Sequence, residues 1–272
     1  MVWSATAGAG SELVVLVHGS LDRSAGLLKL SRRLDGRFRV TRYDRRGYGR
    51  SVPHDGPFTM SAQVDDLAEV IAAEPDHERC VVVGHSYGGN VALALAERAP
   101  HLVDAVVTYE SPLSWLPWWG GSAGSSAMAS RDDLAEAAEL FMRRLIGDER
   151  WEGCRRRPGP HGAAKVRRCS ASWPISANTP RGRPIGSRCR CWSCSASTGS
   201  RITAAVPRRW PTGYPTLRLE MVPDARHFGP NTHPDDVAAR IVRFIGARLK
   251  ATNAATAHDD TSVSVPVMPN AS

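Results

Sequence analysis

The chain has 272 residues, 42% of them hydrophobic, which is ample for a buried core and allows one α/β domain of ordinary size or two small ones. No apolar run approaches the roughly 18–20 residues that cross a bilayer, which excludes a transmembrane helix. The first residues lack a basic start followed by an apolar stretch, so we expect no signal peptide and a cytoplasmic location.

The net charge of +8 conceals two parts of unlike character. Of the 35 Lys and Arg residues, 14 lie between Gly153 and Leu219, where there is no Asp or Glu. The other 21 accompany 27 acidic residues, a net charge of −6 for the rest of the chain. The basic total is therefore no argument for an acidic partner.

Apolar runs alternate with helical patterns over the first 110 residues. Leu13 to Val17 is continuously apolar, which is typical of a strand buried on both faces of a parallel sheet. Met60 to Ala73 has helical spacing, with Ser61 as the expected N-cap. The predicted strands lie at 13–17, 38–43, 81–83 and 103–109. This order predicts an α/β fold with a doubly wound, mostly parallel sheet.

The third of these strands leads into the most informative stretch of the chain, Gly84-His85-Ser86-Tyr87-Gly88-Gly89, which is followed by a helical pattern of small residues. Strand, tight Gly-x-Ser-x-Gly turn and helix, in this order, are the context of a nucleophile elbow. The serine backbone is strained in such a turn, so its neighbours must lack bulk. Ser86 is therefore the candidate nucleophile, and the backbone N–H of Tyr87 is a candidate donor to an oxyanion.

Four motifs make the chain resemble the α/β-hydrolase fold family, in particular its small, actinobacterial-type serine esterases. They are His18-Gly19, Asp44-x-Arg46-Gly47-x-Gly49-x-Ser51, the elbow at 84–89, and His227-Phe228. The resemblance covers about 11–150 and 215–250. It implies an α/β-hydrolase fold with a lid, a catalytic base at His227 with His233 as the weaker candidate, and no metal or organic cofactor.

The resemblance also implies roles around the nucleophile. The N–H of Ser20, or of the next residue, is the expected second oxyanion donor. His18 and Gly19 are expected to border the substrate, with His18 mainly bonding the backbone of its loop. Asp44 and Arg46 are expected to brace their loop rather than to touch substrate.

The family inserts its lid after the strand that ends near residue 110. Residues 111–119 contain three tryptophans, and Trp115 and Trp118 fit either an apolar wall for an acyl group or a loop anchored by its aromatic side chains. Leu134 to Leu145 is predicted to be an amphipathic lid helix, with acidic residues in its first turn and Arg143 and Arg144 in its last.

The family pattern breaks at Gly153 and returns at about Thr216. The stretch between them has neither strand nor helix periodicity and is rich in Arg, Ser, Cys and Pro, which fits a disordered basic insert. Cys189-x-Cys191-x-x-Cys194 lacks a second ligand pair at the usual spacing, so we expect no zinc site. The arginines lack interleaved aromatic residues, so we expect no nucleic-acid partner.

A change of reading frame explains more of this stretch. Codons compatible with 154–159 give Leu-Pro-Pro-Ala-Thr-Arg one frame over, and codons compatible with 190–198 give Pro-Val-Leu-Val-Met-Phe-Gly-Glu-His at the same offset. The second peptide resembles the family's strand that bears the triad carboxylate. We therefore divide the chain into a hydrolase core at 1–152, an irregular or out-of-frame segment at 153–216, a core strand and helix at 217–250, and a disordered tail at 251–272.

A carboxylate to complete a catalytic triad must then come from elsewhere. Glu110 ends the strand beside the elbow strand, at the same sheet edge as Ser86, and some α/β hydrolases place their acid there. Glu110 is therefore predicted to lie within reach of His227 and to serve as the acid. The alternative is a structural Glu that anchors the base of the lid through backbone hydrogen bonds. Asp224 is too near His227 in the chain to turn back onto its ring.

The predicted function is hydrolysis of a small ester or related acyl substrate through Ser86, His227 and an acyl-enzyme. Two alternatives stay open: a non-catalytic remnant of a hydrolase that lacks the acid, and C–C bond hydrolysis or cofactor-free perhydrolysis by the same serine. We expect a small-molecule substrate as the partner, and neither nucleic acid nor a membrane. The sequence leaves acyl chain length and oligomeric state open.

The reading-frame hypothesis predicts a discontinuity in the gene between codons 150 and 220. Resequencing that region should reveal missing or extra bases whose correction restores a continuously apolar strand near codons 190–198. An uninterrupted frame, confirmed on both strands, would contradict the hypothesis and leave the basic insert as the explanation.

Overall fold

The computed structural model describes residues 1–112, 133–155, 199–205 and 218–259. Trp115 and Trp118 lie outside these ranges, as do the cysteines at 189–194 and most of the predicted irregular segment at 153–216. The predictions for those residues stay predictions.

A seven-stranded sheet forms the centre of the described structure, with the strand order β1-β3-β2-β4-β5-β6-β7. The strands are β1 (Ser4–Ala7), β2 (Glu12–Val17), β3 (Arg39–Tyr43), β4 (Arg79–His85), β5 (Ala105–Tyr109), β6 (Gly199–Ala205) and β7 (Arg218–Pro223). Strands β3, β2, β4 and β5 are mutually parallel, whereas β1 and β6 run antiparallel to their neighbours. Because β7 is antiparallel to β6, it runs in the same direction as β5, and the sheet is mostly parallel, as predicted.

Helices cover both faces of this sheet. They are α1 (Leu28–Leu34, preceded by a 3-10 turn at Ser24–Leu27), α2 (Met60–Ala72), α3 (Tyr87–Arg98), α4 (Leu134–Ile146), α5 (Asp148–Arg155), α6 (Gly229–Thr232) and α7 (Pro234–Asp259). The predicted lid helix corresponds to α4. In the part of the chain that the structure describes, no helix is both long and apolar enough to cross a membrane.

Strand β2 shows why the central strands are apolar throughout. Val14 and Leu16 pack into one buried cluster with residues of α1 and α7, whereas Leu13, Val15 and Val17 pack into a second cluster with residues of α2 and α3. All five side chains are fully buried. Successive side chains of a strand point to opposite faces, so a strand covered on both faces needs apolar residues at every position. Burial of each such side chain stabilises the fold by about 1.5–3 kcal/mol.

Cys80 is part of the second cluster and is a buried free thiol. Burial disfavours the thiolate and raises the pKa of Cys80 to about 12, with a smaller contribution from the negative charge of Asp104. The thiol is therefore protonated at neutral pH and serves as a packing group.

The N-cap prediction for α2 is wrong by two residues. Ser61 lies inside the helix, and Thr59 caps it, since the Thr59 hydroxyl accepts a hydrogen bond from the N–H of Ala62 at 3.3 Å. Thr59 has the extended backbone of an N-cap, with φ −65° and ψ 161°. Two neighbouring hydroxyl residues fit the cap equally well in sequence, and only the backbone conformation separates them.

Two strands in the structure were not predicted, and one helix is longer than predicted. Strand β1 adds an antiparallel edge that the sequence did not indicate. Strand β6 lies within the segment 153–216, where no regular element was predicted. It pairs on one side with β5 and on the other with β7. Because its sequence has no alternating pattern, its strand conformation depends on these backbone hydrogen bonds. Helix α7 continues to Asp259, past the predicted end of ordered structure at 250.

Candidate active site

Ser86 occupies the turn between β4 and α3. Its backbone has φ 52° and ψ −125°, outside the regions that suit an L-residue with a side chain. Two hydrogen bonds hold this conformation: the N–H of Ser86 donates to the carbonyl of Tyr109 at 2.8 Å, and the Ser86 carbonyl accepts from the N–H of Gly89 at 2.9 Å. Strain that is held by its surroundings is typical of functional turns, and here it has the geometry predicted for a nucleophile elbow.

The glycines of the elbow are required by close backbone contacts. A Cβ atom on Gly84 would lie 2.3 Å from the Cα of Gly89, and one on Gly88 would lie 2.2 Å from the carbonyl oxygen of Val17. Any side chain at these positions would therefore separate β4 from α3, or α3 from β2. The spacing of the Gly-x-Ser-x-Gly motif is thus explained by packing around Ser86.

His227 and Glu110 meet at the same edge of the sheet. Glu110 directly follows β5 and His227 follows β7, and the Nδ1 atom of His227 lies 2.9 Å from the Oε2 atom of Glu110. A carboxylate only accepts hydrogen bonds, so Nδ1 carries the proton and Nε2 presents a lone pair. The predicted proximity of these two residues is present in the structure. Asp224 is exposed, in a turn with φ 57°.

Two side chains anchor the loop that carries His227. The Nε2 atom of His85 lies 2.7 Å from the carbonyl oxygen of His227, and the Tyr109 hydroxyl donates to the carbonyl of Arg226 at 2.8 Å. The rings of His85 and His227 are 4.8 Å apart. The sequence does not indicate either anchor, because His85 occupies a position of the elbow motif that tolerates any residue and Tyr109 has the pattern of a core aromatic residue.

His85 is a neutral histidine. It is 4% exposed, and because a carbonyl only accepts hydrogen bonds, Nε2 must carry the proton. Its Nδ1 atom has no hydrogen-bond partner among the described residues. Burial, and to a lesser degree the charge of His227, lowers the pKa of His85 to about 3.

The loop after β2 lies against Ser86. A Cβ atom on Gly19 would lie 3.0 Å from the Cβ of Ser86, so this glycine permits the close approach, and Ser20 follows it directly. Tyr87 is the first residue of α3. The two candidate oxyanion donors, Ser20 and Tyr87, therefore belong to the two segments that flank Ser86.

His18 is held by backbone groups on both of its ring nitrogens. The ring is fully buried, with Nδ1 donating to the carbonyl of Gly19 at 2.8 Å and Nε2 accepting from the N–H of Arg45 at 3.0 Å. Burial and the nearby charge of Arg45 hold the pKa of His18 well below its usual value. Both ring nitrogens are thus bonded to backbone groups, and His18 shapes its loop. This is the main role that the sequence analysis predicts for His18.

Asp44 and Arg46 brace the following loop, as predicted. The Asp44 carboxylate accepts hydrogen bonds from the N–H groups of Ser24 at 2.7 Å and Arg50 at 2.8 Å. Arg46 forms a two-pronged ion pair with Asp66, each N–O distance being 2.6 Å. Both carboxylates are nearly fully buried, so these contacts hold the loop rather than meet a ligand.

Comparison with known proteins shows the family of the chain. The sequence model of the alpha/beta hydrolase family matches residues 14–240. The chain therefore belongs to the alpha/beta hydrolase family.

Three curated proteins show the range of its relatives. RutD of Agrobacterium fabrum, provisionally named a carbamate hydrolase, is 35% identical over 34% of this chain and 40% of its own. The pimeloyl-[acyl-carrier protein] methyl ester esterase of Pectobacterium carotovorum is 37% identical over 52% of this chain and 54% of its own. The sn-1-specific diacylglycerol lipase ABHD11 of Xenopus laevis is 32% identical over 50% and 44%. The chain thus spans about half the length of the relatives it matches.

The burial of His85 predicts a specific loss of stability in acid. Between pH 6.5 and about 3 the unfolded chain binds a proton at this residue that the folded protein does not bind. The free energy of unfolding should fall by about 1.4 kcal/mol for each pH unit below 6.5 on account of His85. In His85→Gln, the free energy of unfolding, measured by urea titration between pH 6 and 4, should fall less steeply with decreasing pH than in the wild type, by about this amount for each pH unit.

The matched control is His101→Gln. His101 is exposed in the folded protein. In His101→Gln, the free energy of unfolding should therefore depend on pH as steeply as in the wild type. If the free energy of unfolding has the same pH dependence in the wild type and in His85→Gln, the assignment of a buried, neutral His85 is contradicted.

Proposed function

We propose that this protein is a serine hydrolase of small carboxylic esters or related acyl substrates. The observation that carries the proposal is the combination of Ser86 in a strained elbow with a His227 whose Nδ1 faces the Glu110 carboxylate at 2.9 Å. In this arrangement the lone pair on Nε2 of His227 is available to accept a proton.

Ser86 attacks the substrate carbonyl while His227 takes the hydroxyl proton, and a tetrahedral intermediate forms. His227 then returns the proton to the leaving group, and an acyl-enzyme remains. Water enters and is activated by the same histidine, which releases the acid and restores the Ser86 hydroxyl. Glu110 holds the imidazole in its productive tautomer and stabilises its positive charge.

The N–H groups of Tyr87 and Ser20 stabilise the oxyanion of the intermediate. Loss of one such donor costs about 10²–10³ in kcat in comparable sites. Every proton transfer in this scheme uses His227, so neither a metal nor an organic cofactor is part of the proposal.

The choice of an ester is supported by two of the relatives, whose names specify a methyl ester esterase and a diacylglycerol lipase. The carbamate hydrolase named for RutD contains the same acyl carbon, and a carbamate is the alternative substrate class within the same mechanism. The hypothesis of a non-catalytic remnant rested on a missing acid, and the contact between Glu110 and His227 supplies a carboxylate at the required atom.

Replacement of the nucleophile gives the first test. Ser86→Ala should abolish turnover of p-nitrophenyl acetate and butyrate, because the acyl-enzyme cannot form without the Ser86 hydroxyl. Ser61→Ala, which removes a hydroxyl from the exposed face of α2, should retain wild-type activity. A fluorophosphonate probe should label the wild type and Ser61→Ala but not Ser86→Ala. Equal turnover by the wild type and Ser86→Ala would rule out the serine mechanism.

Replacement of the acid gives the second test. Glu110→Gln preserves shape and removes charge, so kcat should fall by roughly 10²–10⁴-fold while KM and the unfolding midpoint stay near wild type. Glu97→Gln, on the exposed side of α3, is the matched control and should leave kcat unchanged. If kcat survives in Glu110→Gln while turnover still depends on Ser86, Glu110 anchors structure only and another group, or none, serves as the acid.

A further inference from the structure

Arg45 is a fully buried cation, 1% exposed, that the mechanism above does not use. Burial of an ion costs several kcal/mol unless its charge is compensated. Its neighbour Arg46 is compensated by the carboxylate of Asp66. Among the described residues, Arg45 instead donates to three neutral oxygens, each at 3.0 Å: the carbonyls of His18 and Gly19 and the side-chain amide of Gln63.

Two aromatic rings complete the surroundings of this guanidinium. Its central carbon lies 4.6 Å from the ring centroid of Tyr48 and 5.0 Å from that of Tyr87. A cation over aromatic faces is stabilised by the ring quadrupole, more strongly where water is excluded. Arg45 is therefore fixed between the loop after β2 and the first residue of α3, the two segments that flank Ser86.

The hydrogen bonds of Arg45 fix the orientation of the peptide groups in the loop after β2. A trans peptide group is planar, with its C=O and N–H pointing in opposite directions. The bond from Arg45 to the Gly19 carbonyl, together with the bond from Nδ1 of His18 at 2.8 Å, therefore sets the direction of the N–H of Ser20, which belongs to the same peptide group. The bond to the His18 carbonyl sets the preceding peptide group in the same way. A charged donor on a carbonyl also polarises its peptide group and strengthens the N–H as a donor.

We propose that Arg45 is a positioning residue for the oxyanion site: its buried guanidinium holds the peptide group of Gly19 and Ser20 so that the Ser20 N–H meets the developing oxyanion. The inference rests on the proposed function. Arg45 touches no reacting atom and acts through the backbone of the loop after β2.

The test compares Arg45→Lys with Arg46→Lys. Both variants keep the charge, but an ammonium cannot reproduce the planar fork that reaches two carbonyls at once. Arg45→Lys should lower kcat by 10–100-fold with KM within about two-fold of wild type, and should weaken inhibition by phenylboronic acid, a tetrahedral analogue, in parallel. Arg46→Lys should stay within about two-fold of wild type in all three quantities.

Hydrogen exchange supplies a readout that does not depend on turnover. The amides of residues 18–22 should exchange faster in Arg45→Lys than in the wild type, while those of Arg46→Lys should match the wild type. Arg45→Met serves as a second variant that removes the charge, and far-UV circular dichroism checks that each variant folds. If exchange in 18–22 is unchanged in a folded Arg45→Lys, the positioning role is overturned.

Two further outcomes separate this inference from the proposed function. If exchange is faster in Arg45→Lys but Ser86-dependent kcat is unchanged, the guanidinium only supports the loop and the inference alone fails. If the wild type has no Ser86-dependent turnover and binds no phenylboronic acid, the proposed function fails and the inference with it.

Discussion

Tyr109, the last residue of β5, is the point on which the geometry of the site depends. Its carbonyl holds the strained backbone of Ser86, and its buried hydroxyl holds the carbonyl of Arg226 beside His227. The next residue in the chain is Glu110, whose carboxylate meets the His227 ring. One strand end thus connects all three members of the proposed triad. The hydroxyl also leaves no room for a side chain at Gly229, where a Cβ atom would approach it to 1.9 Å.

The position of His227 depends in turn on β6. Strand β7, which leads to this histidine, is joined to the sheet by hydrogen bonds to β6, and β6 is joined to β5. Val222, in β7, and Ala225, two residues after its end, pack into the buried cluster that α7 shares with the central strands. Seven residues, Gly199–Ala205, therefore connect the histidine side of the site to the nucleophile side. They lie in the part of the sequence that has no regular pattern.

The elements that could be predicted are those that leave a local mark in the sequence. The elbow is visible because its strand, glycines, serine and helix follow one another in a single short stretch of the chain, and Glu110 could be placed because parallel strands end at one sheet edge. His85, Tyr109 and Arg45 left no such mark, since each acts on the backbone carbonyl of a residue far away in the chain. Every residue has a backbone carbonyl, so the residue types in the sequence do not show which carbonyl accepts such a hydrogen bond.

The antiparallel pairing of β5 and β6 determines where the chain leaves and re-enters the sheet. Tyr109 is paired with Ile202, so the chain departs after Glu110 and returns at Gly199 on the edge that carries Ser86. In topological terms the two strands form a hairpin with a very long connection, which includes α4 and α5. The entropy of closing a connection grows only with the logarithm of its length, about 0.6 kcal/mol for each doubling. The hairpin can therefore accept connections of very different length between its two strands, while the sheet that aligns Ser86, His227 and Glu110 stays the same.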